Sequence, residues 1–128
     1  MSKTILIVDD EAHIRVLMEQ TLEDLEDEGV MLLTASDGAE ALALIQTENP
    51  DLVFLDVMMP KMNGFEVCQA VKGDSATQGT YIIMLTAKGQ EFDQKQGREV
   101  GADLYMTKPF DPDEILHKAT EVLAIAQA

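Results

Sequence analysis

The chain has no tryptophan, one cysteine, four prolines and only nine lysines and arginines against 24 aspartates and glutamates. Each scarcity removes a class of protein. A lone Cys68 cannot close an intramolecular disulfide, and no Cys/His cluster has the spacing of a structural zinc site. At a formal charge of −15, the chain offers no basic patch of the kind that draws affinity from phosphates. Direct nucleic-acid binding is therefore not expected. No apolar run approaches the roughly 20 residues of a membrane span, so membrane insertion is not expected either. Met1-Ser2-Lys3 leads into only five fairly apolar residues before Asp9-Asp10, which is too short for a secretory signal. The simplest reading is a cytoplasmic protein in a reducing compartment. Its 128 residues suit one domain, residues 1–128, large enough to bury roughly two thirds of its unfolded surface without staples.

What is present is an alternation of apolar runs and amphipathic stretches. Thr4-Ile5-Leu6-Ile7-Val8 reads as a strand ended by Asp9-Asp10. Ile14, Leu17, Met18, Leu22 and Leu25 recur at helical spacing and predict a helix from about Glu11 to Glu28, stopped by Gly29. Val30 to Leu33 reads as a second strand. Ser36-Asp37-Gly38 is turn chemistry, and Ala39 to Glu48 predicts a helix closed by Asn49-Pro50. Leu52 to Leu55 is apolar at every position, as a strand buried on both faces should be. A loop at Pro60 to Gly64 precedes a short helix to about Lys72. Tyr81 to Leu85 reads as strand four, Gly89 to Gly101 as a weak helix, and Leu104 to Met106 as strand five. Asp111 and Pro112 open the last helix as cap and first-turn residue. Five repeats of strand then helix predict an α/β domain with a parallel sheet and helices on both faces.

Ligands of such sheets bind beyond the carboxyl ends of the strands. Asp9 and Asp10 stand there after strand one, Asp56 after strand three, Thr86 after strand four and Lys108 after strand five. Converging carboxylates repel one another unless a cation lies between them. Mg²⁺ suits such a set, because it takes oxygen ligands and keeps part of its water shell. Lys108 and Thr86 could hold phosphate oxygens, and Asp56 could be the attacking carboxylate. The set is suited to receiving a phosphoryl group.

At these residues the chain resembles the receiver domains of two-component response regulators. The likeness rests on Ile5-Leu6-Ile7-Val8-Asp9-Asp10-Glu11, on Asp51 to Pro60 with Met62-Asn63-Gly64, on Ile83-Met84-Leu85-Thr86-Ala87, and on Gly101 to Phe110. These stretches run in family order along the whole chain. The resemblance implies a flavodoxin-like (βα)5 doubly wound fold with strand order 2-1-3-4-5. It implies that Asp56 is the phosphoacceptor and that Asp10, Asp56 and the backbone carbonyl of Met58 ligate Mg²⁺, or Mn²⁺ in its place. Asp9 would act through a bound water, and Thr86 and Lys108 would hold the phosphoryl oxygens. Thr86 and Tyr105 would form the switch, and Lys108-Pro109 a cis peptide. The implied partners are a sensor histidine kinase or histidine phosphotransfer protein and a downstream effector, with the domain a monomer or a phosphorylation-dependent dimer. The chain would be no conventional turnover enzyme, since it catalyses its own phosphorylation and autodephosphorylation. No output domain is expected within it.

Plainer readings stand beside these. Asp9 and Asp10 could cap the first helix, Tyr105 could be fixed packing, and Cys68 reads as a small core hydrophobe. The competing function is a non-phosphorylated receiver-like interaction module, which would typically lack an acidic-pocket residue or the lysine. A haloacid-dehalogenase-type phosphatase would want Asp where Met58 stands. The eight glycines form neither a P-loop nor a dinucleotide fingerprint. Met58, two residues past Asp56, cannot orient a hydrolytic water well, and Lys88 is no general base while charged. A long-lived phospho-form is expected. The weak helix between Gly89 and Gly101, strand five and the last helix are expected to form the signalling face.

Overall fold

A computed structural model describes residues 3–87, 101–108 and 110–124. The helix expected between Gly89 and Gly101, Lys88 and the Lys108–Pro109 peptide lie outside the described residues. Five strands, β1 (Thr4–Val8), β2 (Met31–Ala35), β3 (Leu52–Asp56), β4 (Tyr81–Ala87) and β5 (Leu104–Lys108), form one sheet in the order β2-β1-β3-β4-β5. All four pairings are parallel. This is the flavodoxin-like arrangement. The described helices are α1 (Ala12–Leu22), α2 (Gly38–Glu48), α3 (Gly64–Lys72) and α4 (Pro112–Leu123), with a 3₁₀ segment at Glu23–Glu28.

The period-two alternation of the strands sorts the core into two layers. Ile5, Ile7, Phe54, Ile83 and Leu85 face α1 and α4, meeting Met18, Leu22, Ile115 and Ala119. Leu6, Val8, Val53, Leu55 and Met84 face α2 and α3, meeting Ala41, Ile45, Phe65, Cys68 and Val71. Helices on both faces leave β3 no route to solvent, and all five of its residues are buried. Cys68 is fully buried as core.

The first helix is shorter than its periodicity predicts. It ends at Leu22, and Glu23–Glu28 winds as 3₁₀. Five of those six residues are acidic. Like charges one turn apart, placed at the negative end of the helix dipole, disfavour continued α-helix there. Leu25 still reaches the core, and Gly29 at φ 87° stops the segment as its sequence predicts. Strands four and five run two residues beyond their apolar runs, so Thr86 and Lys108 lie inside the sheet ladder.

Local caps fix where the helices begin. Asp111 accepts from Asp113 N–H at 3.0 Å, with Pro112 in the first turn. Asn63 and Glu66 form a reciprocal capping box at the start of α3. At the far edge of the sheet Lys72 Nζ donates to Thr80 O at 2.6 Å and to Asp103 Oδ2 at 2.8 Å. The same Asp103 oxygen accepts from Ile82 N–H at 2.8 Å. This pairing ties the amino-terminal ends of β4 and β5 to α3. Truncating Phe54, which is wholly buried in the central strand, should cost about 3–5 kcal/mol. Asp111→Ala should cost about 1 kcal/mol through its lost cap. Urea denaturation of the two variants checks both values.

Candidate functional site

The parallel sheet carries the carboxyl ends of β1, β3 and β5 to one edge, and the polar residues that end those strands converge there. Asp9, Asp10 and Asp56 each place a carboxylate oxygen within 4.8 Å of the others. Asp9 and Asp56 are buried, whereas Asp10 is exposed. Lys108 Nζ reaches in from the last residue of β5, 2.7 Å from Asp9 Oδ2 and 3.2 Å from Asp56 Oδ1. An open cleft above them is lined by Asp10, Glu11, Asp56, Val57, Met58, Leu85 and Lys108.

Each member has a backbone reason for its place. Asp9 follows β1 directly, and its N–H donates to Ala35 O at 3.2 Å, continuing the ladder to β2. Its Oδ1 accepts from Glu11 N–H at 2.9 Å, and Arg15 Nη1 donates to its carbonyl at 2.6 Å. Asp56 is the last residue of β3 and pairs in register with Leu85. The next residue turns away, with Val57 N–H donating to Leu85 O at 3.2 Å. Gly64 then lies against this turn, where an added Cβ would sit 2.5 Å from Asp56 O. Only glycine lets α3 begin so close to the end of β3. Met58 stands at the rim of the cleft with 63% of its surface exposed.

Thr86 and Tyr105 occupy the neighbouring strands. In register Thr86 opposes Thr107 and Met84 opposes Tyr105. Thr86 and Tyr105 are therefore diagonal neighbours on one face of the sheet. Thr86 is 1% exposed, and its Oγ1 has no hydrogen-bond partner among the described residues. A buried hydroxyl without a partner is costly and calls for an explanation in function. Tyr105 is half-buried and packs on the α2/α3 core layer. Of the residues singled out in the sequence, the structure brings Asp9, Asp10, Asp56 and Lys108 into one cluster, with Met58 at the rim of the cleft and Thr86 and Tyr105 on the neighbouring strands. The sequence reading draws these residues toward one edge. It missed Arg15, which no motif marks, and read Gly38 as turn chemistry although it begins α2.

Among the described residues three carboxylates face one ammonium, which leaves the cluster with excess negative charge. Burial raises the Asp56 carboxyl to about 7, Asp9 pushes it the same way, and Lys108 opposes them. Burial by itself would lower the Lys108 ammonium. Its hydrogen bond to Asp9 and the charges of Asp56 and Asp9 instead raise it above its ordinary value. The donor set is all hard oxygen and short of positive charge, which suits a divalent cation such as Mg²⁺. A carboxyl raised in the native state binds its proton more tightly there than in the unfolded chain. It therefore costs stability as pH rises from about 4 to about 7. Asp56→Asn should gain on the parent across that window by a few kcal/mol, level off above it, and match the parent near pH 4. Urea melts in chelator at four pH values check the sign. Mg²⁺ should narrow the difference.

Comparison with known proteins agrees with this arrangement. The model of the response regulator receiver domain matches residues 5–120. Among curated proteins, the alkaline phosphatase synthesis transcriptional regulatory protein PhoP of Bacillus subtilis is 48% identical over 96% of this chain. Protein PilG of Pseudomonas aeruginosa is 40% identical over 88% of this chain and 81% of its own. The chain spans about half the length of several curated relatives it matches, 49% of PhoP among them. Among solved structures, the chemotaxis response regulator CheY4 of Vibrio cholerae superposes with a TM-score of 0.83 at 38% identity, covering 95% of this chain and 99% of that one. With a matching family model across nearly its whole length and an acidic cluster at the carboxyl edge of a 2-1-3-4-5 sheet, this chain belongs to the response regulator receiver domain family.

Proposed function

We propose that the domain is a phosphoacceptor that takes a phosphoryl group onto Asp56 from a phosphohistidine of a sensor kinase or phosphotransfer protein. The observation that carries this reading is the Asp56 carboxylate held beside Asp9, Asp10 and the Lys108 ammonium at the mouth of an open cleft. An Asp56 oxygen attacks phosphorus as the nitrogen–phosphorus bond breaks, leaving an acyl phosphate on Asp56 and histidine on the donor. Asp10, Asp56 and the Met58 carbonyl would hold Mg²⁺, with Asp9 acting through a water. When bound, the ion supplies the positive charge that phosphoryl transfer requires. Mn²⁺ has the same ligand preference for oxygen.

The chain's own residues do the rest. Lys108 leaves Asp56 partly free to pair with a phosphoryl oxygen, as a point charge. Thr86 Oγ1, buried and without a partner among the described residues, gains an acceptor when a phosphoryl oxygen arrives and moves toward it. That motion opens space on the face it shares with Tyr105, and Tyr105 turns to fill it. The segment between Gly89 and Gly101, β5 and α4 then carry the change to an effector. Asp56 is regenerated by hydrolysis, so the domain acts as a timed switch and not as a conventional turnover enzyme. Met58 offers only a thioether at the rim of the cleft, a weak acceptor that does not orient attacking water. The phospho-form is accordingly long-lived.

Incubation with acetyl phosphate and Mg²⁺ should add one phosphoryl group by intact mass. The adduct should need Mg²⁺, be absent in Asp56→Asn and fall by roughly 100-fold in rate in Lys108→Ala. Absence of the adduct in the parent, with Mg²⁺ bound, would overturn the reading. After donor removal the adduct should persist for minutes or longer. Loss within seconds would refute the role given to Met58.

A further inference from the structure

Gly38 opens α2, and its backbone is not in the left-handed region, since the described glycines with positive φ are Gly29 and Gly101. Its conformation therefore does not require glycine, and at a helix start alanine has the better propensity. A different constraint operates. A Cβ at Gly38 would lie 2.0 Å from the carbonyl oxygen of Met62 and 2.7 Å from its carbonyl carbon. The backbone of α2 and the backbone of the loop after the acceptor are in direct contact, with no room for a methyl group between them.

The adjoining residues strengthen the contact. Asp37 caps α2 by accepting from Glu40 N–H at 2.8 Å, and its other oxygen lies 3.4 Å from Lys61 Nζ. Lys61 is held at φ 69°, a conformation that residues with a side chain rarely adopt. Met62 N–H donates to Pro60 O at 2.8 Å across that bend. The far end of the loop is fixed too, since Gly64 N–H donates to Val57 O at 2.8 Å and Gly64 abuts Asp56 O. The segment 57–63 starts at the acceptor and contains Met58. It is gripped at one end by α3 and in its second half by α2.

We propose that the amino terminus of α2, through Gly38 and Asp37, is a positioning clamp that holds the loop 57–63 in the shape needed to bind the divalent cation beside Asp56. The clamp rests on the phosphoacceptor reading for its purpose, though its geometry is independent of it. Gly38 and Asp37 are positioning residues, since they touch the loop and not the cation. A methyl group at Gly38 must displace Met62, and the displacement runs back along a short, bonded loop to Met58. Asp37→Asn keeps the cap, because asparagine caps as well as aspartate, and removes only the charge that draws Lys61.

The test uses calorimetric Mg²⁺ titration of the full chain, amide NMR shifts without metal, and thermal melts of every variant. Gly38→Ala should shift the amides of Val57 to Asn63 in the metal-free protein and weaken Mg²⁺ binding by about tenfold. Asp37→Asn should weaken it by roughly two- to threefold. Gly79→Ala adds a Cβ where nothing lies within 4 Å, and Ile45→Val trims the buried face of the same helix. Both should bind Mg²⁺ as the parent does, even where Ile45→Val lowers Tm. Unchanged affinity in Gly38→Ala would overturn the clamp. So would a loss in Ile45→Val equal to that of Gly38→Ala at matched Tm. Should Gly38→Ala not fold, Asp37→Asn decides, because its cap is intact. If the parent itself binds no Mg²⁺, the phosphoacceptor reading falls, and the metal-free shifts of the loop decide the clamp alone.

Discussion

Lys108 sits between the buried carboxylates of Asp9 and Asp56, residues 99 and 52 positions away in sequence, and this one ammonium is the only cation shown against them among the described residues. Two carboxylates taken out of water next to each other are strongly unfavourable unless positive charge is close. The sheet must therefore deliver Lys108 to that point, and it does so through register. Ala87 pairs with Lys108 in the β4–β5 ladder, and Asp56 pairs with Leu85 in the β3–β4 ladder. A slip of one residue would turn Lys108 to the opposite face. The order of the strands, the length of β5 and the burial of β3 all bear on whether that ammonium arrives.

The compensation is incomplete. Burial, with the charge of Asp9 added to it, leaves Asp56 with a raised pKa, and among the described residues three carboxylates face one ammonium, a set whose chemistry suits a divalent cation. Among the described residues two buried hydroxyls lack a partner, Thr86 at the same edge and Thr80 at the amino-terminal end of β4. Natural cores satisfy nearly all such groups. Thr86 places its unsatisfied hydroxyl at the same edge of the sheet as the acidic cluster, and that coincidence, not the hydroxyl alone, marks this edge.

Much of this was legible in sequence because the relevant signals are local. A continuous apolar strand such as Leu52 to Leu55 can only be central and doubly covered. The Asp111-Pro112 start and the Gly29 stop depend on residues within one helical turn. The reading of α1 to Glu28 failed because hydrophobic spacing persists through Leu25 while the charges around it disfavour the α-helix. Spacing reports which face is buried, not which hydrogen-bond pattern wins. Thr86 and Lys108 fell beyond the expected strand ends for a related reason. Polar residues end an apolar run but do not end a ladder.

The chain by itself determined the element order, the two-layer core and the identity of the acidic, hydroxyl and ammonium groups at the strand ends, since each follows from near-neighbour chemistry. The tertiary structure alone decided how those groups meet. The 2.7 Å pair of Lys108 with Asp9, the bond from Arg15 to the Asp9 carbonyl and the contact of Gly38 with the Met62 backbone all join segments whose separation is set by strand register and helix docking. Gly38 shows the difference most clearly. In sequence a glycine after Asp37 signals a turn, because turns are where glycine's free backbone is usually needed. In the folded chain its backbone is ordinary, and what forbids a side chain is the loop packed against it.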